Sequence, residues 1–588
     1  MAADEEKTGE MSDGLQVELF HPDSDREPGD TNIQKFGFDI HPVVFPIALL
    51  IIATFIALTV LGPRFGLDVS GAYTWLFNTI GSTFGWFYLL AVNAFIVVLL
   101  FFAFSRYGNI KIGGVEAEKE FSDFSWMAML FSAGMGIGLM FFSVSEPLYY
   151  LQNPPSFFGA EAGTGAAGAA AMAQTFFHWG FHPWAVYGLV GLGLAFFSFN
   201  RGLPLTFRSI FWPLLGDRIY GWPGHVIDLV TVFATLFGLS TSLGLGVAQV
   251  NTGLSYVLGG EMLGVASIQT GVIPQVLLIG GITAIATLSV AAGLDGGVKR
   301  LSTLNLYLMF ALLGFLLIVG PTVYIFGAWV EGIGAYLQNI LGLGFFTGTL
   351  GSAANATPTA WTIFYWGWWI AWSPFVGMFI ARISKGRTVR EFILGVLFLP
   401  ALFSTLWLST FGGSALHNSL VGSGAAMATY NDVGQTVAMF AMLQQYPLGA
   451  VSGLIATLLV ITFFVTSSDS GSLVIDHLTS GGKHDVPKTQ RIFWAVTEGA
   501  VASVLLIGGG LTALQTAAIT TGLPFAAILC LMCYTVYLGL DNEYEILESE
   551  AFADRIEDMT SEEDVEVVTS GDEMVTDIAS GDESASSD

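Results

Sequence analysis

Long apolar stretches alternate with short polar ones along this chain. A window of about 19 residues finds twelve apolar segments. They lie near 42–62, 84–105, 125–148, 168–199, 224–258, 272–292, 302–328, 357–381, 392–411, 448–475, 491–509 and 518–540. A bilayer core takes about 20 apolar residues, so each reads as a membrane span, and the longest must tilt or project. The stretch 329–350 is apolar but interrupted. It predicts an external interfacial helix rather than a span.

The basic residues test this count. With the N-terminus inside, the cytoplasmic segments hold 19 of the 20 Lys and Arg residues, and only Arg64 falls outside. Membrane proteins keep Lys and Arg in cytoplasmic loops. The pattern therefore predicts an all-α polytopic membrane protein of twelve helices with both termini cytoplasmic.

Two spans contain helix breakers. The third reads FSAGMGIGLMFF, with Gly134, Gly136 and Gly138 at alternate positions. Glycine at every second residue weakens a helix and lets backbone groups turn inward. The eighth reads WWIAWSPFVGMF, with Pro374 and Gly377. If helices 3–7 and 8–12 form two five-helix units, both breaks fall on the first helix of a unit. Interruptions at corresponding positions point to a transporter site built on an inverted repeat. The plainer reading of the glycines is close helix packing.

Aromatic residues crowd the same region. Trp361, Tyr365, Trp366, Trp368, Trp369 and Trp372 occupy twelve positions, and the fourth span adds Trp179, Trp184 and Tyr187. Tryptophan in membrane proteins belongs mostly to the interfacial belt. That suits Trp361 better than Trp369 and Trp372, which adjoin Pro374 on one helix face. Indole and phenol rings around a cavity form a cage for a cation that cannot donate hydrogen bonds, such as a quaternary ammonium. A substrate carboxylate is then expected at N–H groups opened by the glycine break.

The tenth span holds a polar island, Thr466, Ser467, Ser468, Asp469 and Ser470. Its hydroxyls, next to an unwound backbone, offer oxygen ligands for a small cation such as sodium. Back-bonding to helix carbonyls is the alternative. Acids within the spans are functional candidates. Asp469 and Glu498 stay open on that count. Glu146 and Asp228, near span ends, read as carboxylates bound to backbone N–H groups.

Composition and charge exclude other classes. Of 588 residues, 53% are hydrophobic and 11% charged, against roughly 25% charged in soluble proteins. The net charge of −27 sits at the ends: residues 1–40 carry −8 and residues 541–588 carry −17. These segments read as acidic cytoplasmic tails, the second disordered, flanking a transporter domain at 41–540. Their sign speaks against nucleic acid as a partner. The acidic start ahead of the first apolar run predicts no cleavable signal peptide. Cys530 and Cys533 read as small residues packed on one helix face. His178 and His182 form H-x-x-x-H, a possible metal pair of a membrane enzyme, but a closed site needs more ligands. No G-x-x-x-x-G-K-[ST] motif suggests an ATP-driven pump.

At GMGIGLMFFSVSEP (134–147), HWGFHPWAVYG (178–188) and WTIFYWGWWIAWSPFVGMFIARISKGRTVREF (361–392) the chain resembles the betaine/carnitine/choline transporter family. The resemblance covers roughly residues 40–540. It implies twelve helices, with two inverted five-helix repeats after two N-terminal helices, and a homotrimer in the plasma membrane. It places Trp179, Trp184, Tyr187 and Trp369 in the substrate cage, with Trp368 and Trp372 along the same path. The backbone at Ala133, Met135 and Ile137 would meet the substrate carboxylate. One sodium site would use Ser132, Met135, Phe463, Thr466 and Ser467. A second would use Thr235 near Phe375, although Leu239 stands where sodium-coupled members carry a second Thr. Gly138, where choline-preferring members have Asp, favours a zwitterion such as glycine betaine. Sodium is the expected coupling ion and no cofactor is implied. The expected role is uptake of a compatible solute for osmoprotection. Sodium-independent exchange of the carnitine type, or choline transport, is the alternative. The acidic C-terminal segment does not match the basic osmosensing helix of regulated members.

Overall fold

The computed structural model describes residues 28–292, 299–350, 360–483 and 485–561, and a hairpin pairing Val565–Ser570 with Glu573–Ile578. Among the described residues, ten helices are long and apolar enough to cross a membrane, or eleven if one sharply bent pair counts as a single span. The main helices are α1 (Val44–Leu61), α2 (Val69–Phe104), α3 (Asp123–Ala133), α4 (Ile137–Gln152), α5 (Gly165–Trp179), α6 (Phe181–Phe199), α7 (Trp222–Leu258), α8 (Val272–Ala292), α9 (Lys299–Val319), α10 (Thr322–Gly344), α11 (Ala360–Arg382), α12 (Val389–Leu420), α13 (Gly449–Thr479) and α14 (Lys488–Ser561).

The third apolar segment is broken as its glycines suggest. The axes of α3 and α4 differ by 61° across residues 134–136. Gly136 is fully extended, with φ −172° and ψ −173°. The eighth segment is not broken. The chain passes Pro374 inside the continuous helix α11. Proline cannot donate to the carbonyl four residues back, which is that of Ile370. The Ser373 hydroxyl takes that acceptor instead, at 2.8 Å. This corrects the expectation of matched breaks on the third and eighth spans.

Three further differences concern segment ends. The fourth segment is two helices meeting at Gly180, where a Cβ would lie 2.8 Å from the Tyr336 hydroxyl and 2.6 Å from the Phe176 carbonyl. The interfacial helix begins at Thr322 rather than 329, because Gly320–Pro321 ends α9 early. It lies against α5 and α12, with Trp329 Nε1 donating to Thr405 Oγ1 at 3.0 Å. The last two segments form α14, two helices joined at Gly509–Gly510, where Gly510 has a positive φ of 61°. The segment after 540 continues α14 to Ser561. Its acids are held by cations of the loops: Asp541 by Arg106 at 2.7 Å, and Glu543 by the buried Arg201.

At the core, α4 is buried through most of its length and packs against α5, α7 and α12. α7 packs along both α13 and α14. At the end rich in basic residues, the α2–α3 and α11–α12 loops are tied together. Ile112 N donates to the Arg387 carbonyl at 2.9 Å, and Val389 N to the Ile110 carbonyl at 2.8 Å. Beside them a short hairpin, Ile33–Lys35 with Phe38–Ile40, docks on the α13–α14 loop through Asp39 and Lys483, 2.6 Å apart.

Candidate functional site

The break between α3 and α4 is what shapes the site. Gly138 is flanked by two indoles: a Cβ there would lie 2.7 Å from Trp368 and 2.8 Å from Trp179. A Cβ at Gly134 would lie 3.0 Å from Trp184. The alternate glycines therefore admit aromatic rings against bare backbone. Around them lies a cavity of about 40 Å³ lined by Trp179, Trp184, Tyr187, Trp368, Trp369 and Trp372 and by the backbone stretch Ala133–Leu139. Every residue singled out for the cage, including Ala133, Met135, Ile137 and Gly138, reaches this one cavity.

The rings are mutually braced. Trp368 stacks on Trp369 with centroids 4.8 Å apart and planes 15° apart. Trp179 meets Trp369 edge-on at 4.8 Å, and Tyr187 meets Trp184 at 5.4 Å. Trp369 Nε1 donates to the His178 carbonyl at 3.0 Å, and Trp368 Nε1 to Ser242 Oγ at 3.2 Å. Their ring N–H groups are thus spent on the scaffold, leaving the π faces to line the space. Tyr187 Oη and Trp372 Nε1 are buried and, among the described residues, have no hydrogen-bond partner.

Anion-binding capacity comes from the backbone. Met135 N donates to the Ser132 carbonyl at 3.2 Å, so that group is used. The first turn of α4, starting at Ile137, has no side-chain cap. The first N–H groups of a helix have no intrahelical acceptor and lie at the positive end of its dipole. Ile137, Gly138 and Leu139 of that turn line the cage.

A second cavity of about 140 Å³ adjoins the first, sharing Ala133, Met135 and Trp372 with it. Ser132, Phe375, Phe463, Thr466, Ser467 and Asn305 also line it. Ser132 of α3 and Thr466 and Ser467 of α13 bring hydroxyl oxygens to its wall, hard donors of the kind that suit a small cation. Asn305 Nδ2 donates to Thr466 Oγ1 at 3.2 Å. α13 remains helical through the island, so the irregular backbone is all on the α3–α4 side. Thr235 is not among the lining residues of this cavity, although Phe375 is. The Thr235 hydroxyl donates to the Thr231 carbonyl at 2.8 Å, and Ser240 and Thr241, next to Leu239, bond carbonyls on α14.

Glu146 and Asp228 correct the expectation of backbone-bound carboxylates. Glu146 is fully buried and bound by side chains: Trp179 Nε1 at 3.0 Å, the Tyr365 hydroxyl at 2.7 Å and His178 Nδ1 at 2.5 Å. Asp228 forms an ion pair with Arg208. His178 turns its other nitrogen to Thr362 at 2.8 Å, while His182 bonds Asn93 at 3.2 Å. The two histidines are engaged separately. No cluster of three or more metal-ligating side chains occurs among the described residues. Glu146, His178 and Tyr365 were named along the chain but not placed at the cage, and Ser242, which holds Trp368, was not named at all. The available signal was an acid inside an apolar helix.

Comparison with known proteins agrees in extent with this architecture. The profile of the BCCT, betaine/carnitine/choline family transporters, matches residues 43–545. The chain is 45% identical over 535 residues to glycine betaine transporter 1 of Vibrio parahaemolyticus, covering 88% of this chain and 97% of that protein. A glycine betaine/proline/choline transporter of the same organism is 44% identical, over 89% of this chain and 94% of its own. A probable glycine betaine transporter of Desulfitobacterium hafniense is 44% identical, over 80% and 92%.

Proposed function

The chain belongs to the betaine/carnitine/choline transporter family, and from that premise we propose that it imports glycine betaine or a close relative by sodium-coupled alternating access. Family membership makes it a multi-pass membrane transporter rather than an enzyme. The observation that carries the substrate reading is the cage: stacked indole faces beside the uncapped N-terminus of α4. A trimethylammonium group suits the faces, each desolvated cation–π contact being worth about 2 kcal/mol. A carboxylate suits the open N–H groups. A zwitterion of that length satisfies both ends without a buried counter-charge.

The cavity between α3 and α13 supports sodium as the coupling ion, since it shares walls with the cage. Occupancy of one would then be felt at the other through Met135 and Trp372. Each sodium entering against a membrane potential contributes about 2.3 kcal/mol per 100 mV. Counting α3–α4 as one span, and the two halves of α14 separately, supports a twelve-span reading in the plasma membrane. Both termini are then cytoplasmic, and helices 3–7 and 8–12 form inverted repeats. A homotrimer and a role in osmoprotection follow the family.

The test is uptake of labelled glycine betaine into proteoliposomes with and without an inward sodium gradient. Choline, carnitine, proline and ectoine serve as competitors. Gradient-dependent accumulation, competed best by betaine-like zwitterions, is expected. Equal uptake without sodium, with counterflow in sodium-free buffer, would replace coupling by exchange.

A further inference from the structure

On the α3 side of the break the backbone N–H groups are already used. Gly134 N donates to the Phe131 carbonyl at 3.1 Å and Met135 N to the Ser132 carbonyl at 3.2 Å. A side chain from another helix reaches the same space. Ser404 of α12 lines the cage. It is 2% exposed, and its hydroxyl makes no hydrogen bond among the described residues. Its neighbours on α12 behave otherwise. Thr405, Thr410, Ser414 and Ser419 each bond a carbonyl of the preceding turn, the ordinary fate of a helical hydroxyl. Ser409 is unpartnered too, but it is not among the residues that line the cage.

The level of Ser404 follows from how α12 lies along the broken span. A Cβ on Gly134 would lie 3.4 Å from Pro400 Cβ, and one on Gly412 would lie 2.7 Å from both the Ser143 carbonyl oxygen and Pro147. Pro400 is thus level with Gly134, and Gly412 with the middle of α4. Ser404 stands one turn past Pro400 on the same face, level with Gly136 and Ile137. There the backbone is extended and α4 starts without a side-chain cap. The Ser404 side chain and the first turn of α4 therefore line one cavity of about 40 Å³ at the same depth. Ser242, the other serine on that wall, is engaged: it accepts from Trp368 Nε1 and donates to the Gly238 carbonyl at 3.3 Å.

We propose that Ser404 is a specificity-determining residue, its hydroxyl donating to the substrate carboxylate that the first N–H groups of α4 also hold. This rests on the zwitterion reading above and deepens it. A carboxylate has about four lone-pair sites, so donors from two helices can share it. No charged side chain is among the described residues that line the cavity, which leaves N–H and O–H groups to bind the anion. A hydrogen bond to an ionised acceptor is roughly twice as strong as one between neutral groups. Ser404 therefore favours a carboxylate over the neutral hydroxyl that ends choline.

The experiment uses the full-length protein in lipid. Binding of glycine betaine, and its competition by choline, are compared in the wild type and Ser404→Ala. Betaine affinity should fall about tenfold and choline affinity about threefold, so the preference for betaine narrows. Equal losses for both ligands would show packing rather than recognition and would overturn the proposal, as would an unchanged betaine affinity. Ser404→Cys, with Cys530 and Cys533 replaced by alanine, gives a second measurement. Its thiolate attacks trimethylammonium-ethyl methanethiosulfonate, forming a mixed disulfide and releasing methanesulfinate. Saturating betaine should slow that labelling, and labelling indifferent to betaine would place the substrate away from Ser404. A wild type that binds no betaine would sink the zwitterion reading and this inference together. Wild-type binding with an unaltered Ser404→Ala would sink this inference alone.

Discussion

Trp179 Nε1 donates to Glu146 Oε2 at 3.0 Å, which fixes the edge of the cage to a carboxylate that faces no solvent. The same oxygen accepts from the Tyr365 hydroxyl, and the other from His178. One acid thus sets the orientation of three rings from two helices.

Glu146→Gln keeps the shape but leaves one of those donors facing an amide N–H. An unsatisfied buried group costs about 1–3 kcal/mol. Betaine affinity should fall about tenfold, the equivalent of about 1.4 kcal/mol. Fluorescence titration of the purified variant measures this. Unchanged affinity would mean that packing alone holds Trp179.

Trp369→Leu removes the ring that Trp368 stacks on and that Trp179 meets edge-on. Loss of one desolvated cation–π contact of about 2 kcal/mol raises KM about thirtyfold. Thermal unfolding in detergent should change little, because leucine still fills the apolar part of the site. A normal KM in this variant would move the substrate elsewhere.

Gly138→Ala forces a methyl to within 2.7 Å of Trp368 and 2.8 Å of Trp179 unless the rings shift. Overpacking of this kind costs about 1–3 kcal/mol. Both the melting temperature and betaine affinity should fall together. Gly314→Ala, inside α9 where a Cβ meets nothing within 4 Å and the backbone is helical, is the control for residue type away from the cage.

Ser467→Ala removes an oxygen from the cavity between α3 and α13. The sodium concentration for half-maximal uptake should rise about tenfold, the loss of about 1.4 kcal/mol. Thr235→Ala should leave it nearly unchanged, since that hydroxyl is bonded within its own helix. The reverse order of effects would place the ion at Thr235.

Much of this was legible along the chain. The Lys and Arg spacing and the apolar runs gave the helical membrane class, because a bilayer imposes a length and a charge bias that one dimension records. The alternate glycines marked the broken third span, since missing Cβ atoms act locally. The breakers at 374 and 180 act differently. Pro374 is rescued by the hydroxyl of Ser373. At Gly180 one helix ends and the next begins, and the Tyr336 hydroxyl, far along the chain, accepts from Phe181 N at 3.1 Å in space that a Cβ would take.

The sequence by itself determined which residues could serve: rings, glycines, hydroxyls and buried acids, each identified by chemistry its type carries anywhere. Only the tertiary structure decided which of them share a space. It gathered six rings and a bare helix start into one cavity, left Thr235 bonded to its own helix, and turned Glu146 from a helix-end carboxylate into the anchor of the cage. Such outcomes depend on distances between residues far apart in the chain, and packing of the helices sets those distances.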